Sequence, residues 1–320
     1  MKLGYVGLGK MGKNMVLHLV EEGVEVVAWN RSPEPRAEVA KAGATAVETL
    51  EELITELRKT GSWLKSPLDS QGQDDNRIAI WLMLTAGDTT DEFIDKLLPL
   101  MEKGDLLIDG GNSFYKDTLR RAEKIKPTGI RFMDIGTSGG PGGARTGACL
   151  MIGGEAADYE EIKELVVAAS SKDAYGHFGP VGSGHFAKMV HNGIEYGMME
   201  AISEGAAILK SAPFKMDLQE IFRVYNNRSV VESRLVGWAL EALKEDPELT
   251  EYSSVIGHTG EGEWTAKTAE ELNVAADVIK RSFEIRLESK DDEENSPNGY
   301  RNKMTSAMRG KFGQHPVKKN

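Results

Sequence analysis

Through the first half of the chain, short runs of consecutive apolar residues alternate with stretches in which apolar residues recur every three or four positions. A run of the first kind suits a parallel strand buried on both faces, and the second is one face of an amphipathic helix. On this pattern strands are expected at 2–6, 24–29, 78–84, 106–109, 131–135, 148–153 and 174–178, and helices at 11–22, 49–59, 91–103 and 159–170. Their alternation predicts a doubly wound, mostly parallel α/β sheet through about residue 178. Beyond Gly184 strand signals fade, and helices are expected at 185–210, 218–226, 230–244 and, as one or two elements, 265–289. The chain is therefore read as two domains, 1–178 and 179–320, the second all-α. The polar stretch 61–77 reads as an exposed insertion without chemistry, and the charged 290–299 as a solvated loop.

The first expected strand runs into Gly7, Leu8, Gly9, Lys10, Met11 and Gly12, a G-x-G-x-x-G at a strand–turn–helix junction. That context makes the first domain a Rossmann-type dinucleotide site, with pyrophosphate at a helix N-terminus. Gly7, Leu8, Gly9, Met11 and Gly12 are its candidate contacts. The second strand ends in Asn30, Arg31 and Ser32, where an NAD site usually offers a carboxylate to the ribose. No acidic residue stands there, and Arg31 can fork onto a 2′-phosphate with Asn30 and Ser32 beside it. The expected cofactor is NADP, with NAD remaining open.

Strand ends elsewhere carry the other candidates. Asn112 follows the strand at 106–109 in Gly-Gly-Asn-Ser, placed to meet both nicotinamide and substrate. The glycine-rich 136–145, with Ser138, Gly139 and Gly140, reads as a loop whose amides can approach a carboxylate closely, or as a plain flexible connection. On the long helix at 185–210, Lys188, His191, Asn192, Glu195 and Met199 fall within an arc of about 100°. Such an arc suits a proton-transfer site, and equally an exposed face supported by pairs four residues apart.

Composition narrows the partners. Thirty-nine Lys and Arg against 50 Asp and Glu give a formal charge of −11, which disfavours a general nucleic-acid or anionic-membrane binder. No apolar run is long enough to span a bilayer, no leader precedes the first strand, and the lone Cys149 has no disulfide partner. A cytoplasmic protein is expected. The six histidines are scattered, and no metal-ligand spacing is found.

Four motifs together resemble the 6-phosphogluconate dehydrogenase family, in its shorter decarboxylating form, within the β-hydroxyacid dehydrogenases. They are GLGKMGKN from Gly7, IDGGNS from Ile108, TSGGPGGARTG from Thr137 and KMVHNGIEYGMM from Lys188. Arg309 to His315 further resembles the family's terminal R-x-x-F-G-x-H, whose arginine and histidine reach into a partner subunit's site. The resemblance covers nearly the whole chain. It implies a homodimer that oxidises and decarboxylates 6-phosphogluconate to ribulose 5-phosphate while reducing NADP+. It further implies Lys188 as base and then proton donor to the ketone oxygen, and Glu195 as the acid that protonates the enediol carbon. By the same resemblance Asn112, Ser138, Gly139, Gly140, His191 and Asn192 orient the sugar acid. Tyr196, Arg286, Arg309 and His315 are left to hold its phosphate. Thr259 stands where longer members have a phosphate-contacting lysine, with acidic Glu261 and Glu263 following. The rival readings are a 3-hydroxyisobutyrate-type dehydrogenase and a nucleotide-binding regulator without turnover.

Overall fold

The structure is a computed structural model that describes residues 2–59, 77–313 and 317. The expected insertion at 61–77, apart from Arg77, and His315 therefore lie outside the described residues. The chain divides into two compact units, 1–188 and 189–320.

The first unit is an eight-stranded sheet. Its strands are β1 (Lys2–Val6), β2 (Glu25–Trp29), β3 (Thr45–Val47), β4 (Ala79–Leu82), β5 (Leu106–Asp109), β6 (Arg131–Ser138), β7 (Ala148–Gly153) and β8 (Ser170–Gly179). They lie in the order β3-β2-β1-β4-β5-β6-β7-β8, parallel throughout except that β7 runs antiparallel to β6. This is the expected mostly parallel Rossmann sheet, with crossover helices supplying both covering layers. Alternate residues of each central strand enter different cores. Leu3, Tyr5 and Trp81 join one with Met15 and Leu19; Val6, Ile80 and Leu82 join the other with Leu53 and Ile94. Burial on both faces is why these strands read as unbroken apolar runs.

The helices of this unit are α1 (Lys10–Glu21), α2 (Pro33–Lys41), α3 (Leu50–Arg58), α4 (Asp88–Leu97), α5 (Tyr115–Ile125), α6 (Gly140–Thr146), α7 (Ala156–Glu161) and α8 (Lys163–Ala169). Helix α3 begins where Thr49 Oγ1 accepts the Glu52 amide at 3.0 Å. Helix α4 stops short of the expected 103, since Pro99 has no N–H to continue the ladder. Helices α2 and α5 and strand β3 were not expected from the pattern.

A larger correction concerns 136–145. Strand β6 continues to Ser138, and helix α6 takes up most of the rest. Gly139 (φ 112°) makes the bend, and Pro141 in the first turn is already set for helical φ. Ala144 is buried, and Arg145 forks onto Glu21 of α1 with two bonds of 2.6 Å.

Helix α9 (Ser183–Lys210) begins in the first unit and continues into the second. The second unit also holds α10 (Leu218–Tyr225), α11 (Arg234–Glu245), α12 (Glu261–Glu271), α13 (Asp277–Glu288) and α14 (Pro297–Gly313). Met199, Phe222, Leu235, Leu243, Met304 and Met308 are among the residues of its core. Among the described residues, no helix is long and apolar enough to cross a membrane.

Candidate active site

Two of the fingerprint glycines have a steric reason within the chain, and the third does not. Gly7 adopts φ 101°, and a Cβ there would lie 2.4 Å from the Met83 carbonyl oxygen. A Cβ on Gly12 would lie 2.0 Å from the Gly7 oxygen, so α1 packs against the strand end only with glycine at that point. A Cβ on Gly9 would meet nothing within 4 Å. Gly9 is the N-cap of α1, whose first turn has neither an acidic residue nor a side-chain cap. An open glycine before uncapped helix amides fits a dinucleotide pyrophosphate. Leu8 is buried and Met11 half-buried.

Asn30 is already committed: its Oδ1 accepts the Leu8 amide at 2.9 Å and its Nδ2 donates to the Ser32 carbonyl at 3.1 Å. It ties the end of β2 to the glycine turn. Arg31 and Ser32 are exposed, which leaves them as the groups available to a ribose phosphate.

Asn112 is exposed on a loop that is itself rigidly held. The fully buried Arg121 of α5 donates to Asp109 Oδ2 at 3.1 Å, Ser113 Oγ at 2.9 Å and the Gly87 carbonyl at 3.0 Å. Its Nε donates to Asp91 at 2.7 Å, while Asp109 also accepts from Ser113 and the Gly111 amide. This clamp was missed because Arg121 belongs to an unexpected helix and its partners are 8 to 34 residues away.

Lys188 is buried on α9, pressed against β6: a Cβ on Gly136 would lie 2.4 Å from Lys188 Cβ. The fully buried Asp134, also on β6, accepts the Gly182 amide at 2.6 Å and the His185 amide at 2.7 Å. A carboxylate from the sheet thereby caps α9 one turn before Lys188. Asp134 and Gly136 were not among the residues singled out from sequence; a carboxylate and a glycine two residues apart on the strand before the TSGG motif were the available signal. Ser138, Gly139 and Gly140 follow on the same strand end and are half-buried.

Farther along α9, Asn192 is buried and its Oδ1 lies 3.1 Å from His191 Nδ1; His191 Nδ1 is 3.9 Å from Glu195 Oε2. Tyr196 is buried, with the Arg286 guanidinium 3.3 Å over its ring centroid. Gly262, in the first turn of α12, has no room for a Cβ, which would lie 2.4 Å from that ring. Arg309 is also buried, and its field reaches Tyr196, Glu261 and Glu195. Burial, with the like charge of Arg309 nearby, brings Arg286 down to about 10. Burial lowers Arg309 as well and raises the Tyr196 hydroxyl. Among the described residues neither arginine forms a carboxylate ion pair. Desolvated guanidiniums such as these, beside a phenol, are groups that can hold an anion through charge-assisted hydrogen bonds. Thr259 Oγ1 donates to Glu261 Oε2 at 2.6 Å, holding that carboxylate at the start of α12.

Glu200, one residue past Met199, is buried in the same unit. Burial pushes it up to about 7, against the pull of Arg301, whose Nε is 3.2 Å from Oε1, and with Glu204 adding to the rise. Its folded-state pKa lies above the unfolded value, so stability falls as pH rises from about 4.5 through 7. Glu200→Gln should therefore exceed the parent by about 1–3 kcal/mol in urea unfolding at pH 8, the gain shrinking toward pH 5. Equal gains at both pH values would remove ionisation as the cause.

Comparison with known proteins gives a consistent picture. The family profile described as the NAD binding domain of 6-phosphogluconate dehydrogenase matches residues 2–179, and that of the 6-phosphogluconate dehydrogenase C-terminal domain matches 184–319. The chain is 37% identical over 319 residues to YqeC of Bacillus subtilis, which bears a provisional 6-phosphogluconate dehydrogenase name, with all of both chains covered. It is 35% identical to the NAD(+)-dependent, decarboxylating 6-phosphogluconate dehydrogenase of Haloferax volcanii, covering 99% of this chain and 98% of that one. It is also 35% identical to the NADP(+)-dependent enzyme of Bacillus subtilis, but spans only 62% of that longer protein. Among solved structures, Plasmodium falciparum 6-phosphogluconate dehydrogenase superposes with a TM-score of 0.77 at 29% identity, covering 96% of this chain and 70% of that one. A 3-hydroxyisobutyrate dehydrogenase of Mycobacterium tuberculosis shares the fold, with a TM-score of 0.69 at 17% identity, covering 94% and 97%.

Proposed function

We propose, for a chain that belongs to the 6-phosphogluconate dehydrogenase family, the oxidative decarboxylation of 6-phosphogluconate to ribulose 5-phosphate and carbon dioxide with reduction of NADP+. The observation that carries this reading is the anion pocket of Tyr196, Arg286 and Arg309 in the unit that also holds Glu195. A terminal phosphate supplies the charge that two buried arginines without a carboxylate salt bridge call for. A small hydroxyacid without phosphate leaves them only the more distant field of Glu195, Glu200 and Glu261.

Gly7 to Gly12 with Arg31 and Ser32 would hold the nicotinamide cofactor, which would supply the hydride acceptor for the sugar acid. Lys188 takes the proton of the hydroxyl being oxidised and then donates a hydrogen bond to the new ketone oxygen while the carboxylate leaves as carbon dioxide. Glu195, two turns farther along α9, gives a proton to the enediol carbon. Helical spacing supports assigning both roles to one substrate, since positions 188, 192 and 195 share a face. Asn192 and His191 orient the hydroxyls, and Asn112, Ser138, Gly139 and Gly140 serve the reacting end. His315 is assigned with Arg309 to the phosphate end.

Arg31, with Ser32, supports NADP, while the Haloferax relative, similar over its full length, bears an NAD-dependent name. Arg31→Ala should raise the KM for NADP+ by about 10- to 100-fold, the loss of one charge-assisted fork. The KM for NAD+ should change little, and equal losses for both would remove the 2′-phosphate role. A homodimer is part of the proposal, supported by the exposed Ile194, Met198 and Ile208 along one side of α9, an apolar stripe suited to a second copy. A cytoplasmic site of action is likewise proposed.

The deciding assay presents 6-phosphogluconate and gluconate, each with NADP+ and NAD+, and follows reduced cofactor and carbon dioxide separately. Both products from 6-phosphogluconate are expected. Reduced cofactor without carbon dioxide would point to the hydroxyisobutyrate type of chemistry, and preference for gluconate would dismiss the phosphate pocket.

A further inference from the structure

We infer that Glu200 sets the charge around Arg286, holding a proton while an anion lies against that arginine and releasing it when the anion leaves. Glu200 is thereby a positioning residue that acts on the ligand through Arg286. The inference rests on the phosphate-holding role proposed for Tyr196 and Arg286, and it adds a response to pH that this role alone does not contain.

The placement follows from α9. Tyr196 and Glu200 are four residues apart, which puts them one above the other on a single helix face. The Arg286 guanidinium of α13 covers the Tyr196 ring, and its Nη2 reaches Met199 Sδ at 3.7 Å, so it is bracketed by residues that precede Glu200. Helix α14 packs on the same stretch of α9. Arg301 Nε stands 3.2 Å from Glu200 Oε1, and Thr305 Oγ1 donates to Ser203 Oγ at 2.8 Å, which ties the two helices together.

What distinguishes this buried carboxyl is that nothing completes its ionised form. Arg301 directs its hydrogen bonds to Asn302 Oδ1, at 3.1 and 2.9 Å, and to Asp292 Oδ2 at 3.1 Å. It faces Glu200 without an aligned bond, and neither Glu200 oxygen has a hydrogen-bond partner among the described residues. The other charges acting on it are Arg286 and Arg281 of α13 and Glu204 of its own helix. Glu204 is exposed, and Arg281 is exposed and bonded to Glu284 and Glu288. Arg286 is thus the buried charge whose state a ligand can change. A carboxylate with charge nearby but no hydrogen bonds of its own is costly to keep ionised in the interior. Burial accordingly brings Glu200 up to about 7, with Arg301 and Arg286 opposing the rise and Glu204 adding to it.

The coupling has a definite sign. Arg286 favours the ionised form of Glu200, and a doubly charged anion against Arg286 cancels that field and adds repulsion, so binding takes up a proton. Reciprocally, the anion binds more tightly at low pH, where Glu200 is already neutral, and more weakly as pH rises through about 7.

Sulfate is the probe, because it stays doubly charged across this range while a sugar phosphate titrates within it. Calorimetric titration of the full chain at pH 6 and pH 8.5 should show affinity falling by about 5- to 20-fold at the higher pH, the size expected for one charge facing a dianion through protein. Glu200→Gln has the same shape and is always neutral, so it should bind at pH 8.5 as tightly as the parent does at pH 6 and change by less than about twofold between them. A flat profile in the parent would overturn the inference. So would a parent-like profile in Glu200→Gln, which would point instead to His191, whose Nδ1 is 3.9 Å from Glu195. Sulfate binding should be lost in Arg286→Gln, and binding that survives there, or no binding in the parent at either pH, would overturn it as well. Difference infrared spectra of the parent at pH 7.5 decide the matter without any variant. Adding sulfate should convert a carboxylate band into that of a protonated carboxyl, which protonation of a histidine cannot produce, and the absence of that change would count against Glu200. Turnover of 6-phosphogluconate beside a flat sulfate profile defeats this inference alone. A pH-dependent sulfate site in a chain that releases no carbon dioxide defeats the proposed activity alone.

Discussion

Lys188→Met is expected to lower kcat by about 10³- to 10⁴-fold while leaving nicotinamide cofactor binding within about twofold of the parent. Methionine keeps the length and apolar stem of lysine but has no basic nitrogen, so the buried position between α9 and β6 stays filled. The residues proposed to hold the cofactor, from Gly7 to Gly12 and Arg31, lie far from it in the chain, which is why binding and turnover should separate. Rapid-quench turnover with 6-phosphogluconate, together with fluorescence titration of the reduced cofactor, measures the two effects independently. A fall of less than tenfold in kcat would mean that another group accepts the hydroxyl proton. Loss of cofactor binding in parallel would mean that the substitution disturbs the strand ends, where Gly136 already meets Lys188 without room for a methyl group.

The second large effect is on stability. Arg121→Met should destabilise the first unit by about 3–5 kcal/mol, because it strands the fully buried Asp109 carboxylate without its guanidinium. For a unit of this size that corresponds to a fall in Tm of roughly 6–20 °C. The cause is separable from simple loss of packing. Adding Asp109→Asn removes the stranded charge, and calorimetry should then show much of the loss recovered. If the double variant is as unstable as the sum of two independent losses, the pair is not the unit that holds the Gly110–Ser113 loop. Activity carries a related expectation: with the clamp gone, Asn112 rides on a loop released from Arg121, so KM should rise more than kcat falls.

What could be read before folding was whatever depends on neighbours in the chain. Gly7, Gly9 and Gly12 announce a turn because the strand, turn and helix are contiguous, and Lys188, Asn192 and Glu195 share a face because helical period alone puts them there. Helix α2 was overlooked because its prolines at 33 and 35 mask a start whose first turn needs no amide donors, and β3 because three residues are too few to show a period. The glycine-rich 140–146 looks like a loop by propensity. It is helical because Pro141 and the packing of Ala144 outweigh a cost of about 1 kcal/mol per glycine.

The sequence by itself determined the class of sheet, the dinucleotide turn and the residues of the α9 face, since each rests on local periodicity or on backbone freedom at a given glycine. Only the tertiary structure decided which distant groups meet. It put the Asp134 carboxylate under the start of α9, locked Arg121 onto Asp91, Asp109 and Ser113, and laid Arg286 over the Tyr196 ring. It also returned Val317 to Ser253. Those pairings join residues from 8 to 90 positions apart, and what favours them is the cost of burying a charge or a backbone group without a partner once the cores close. Such a condition acts on the folded chain as a whole, and no window of sequence contains it.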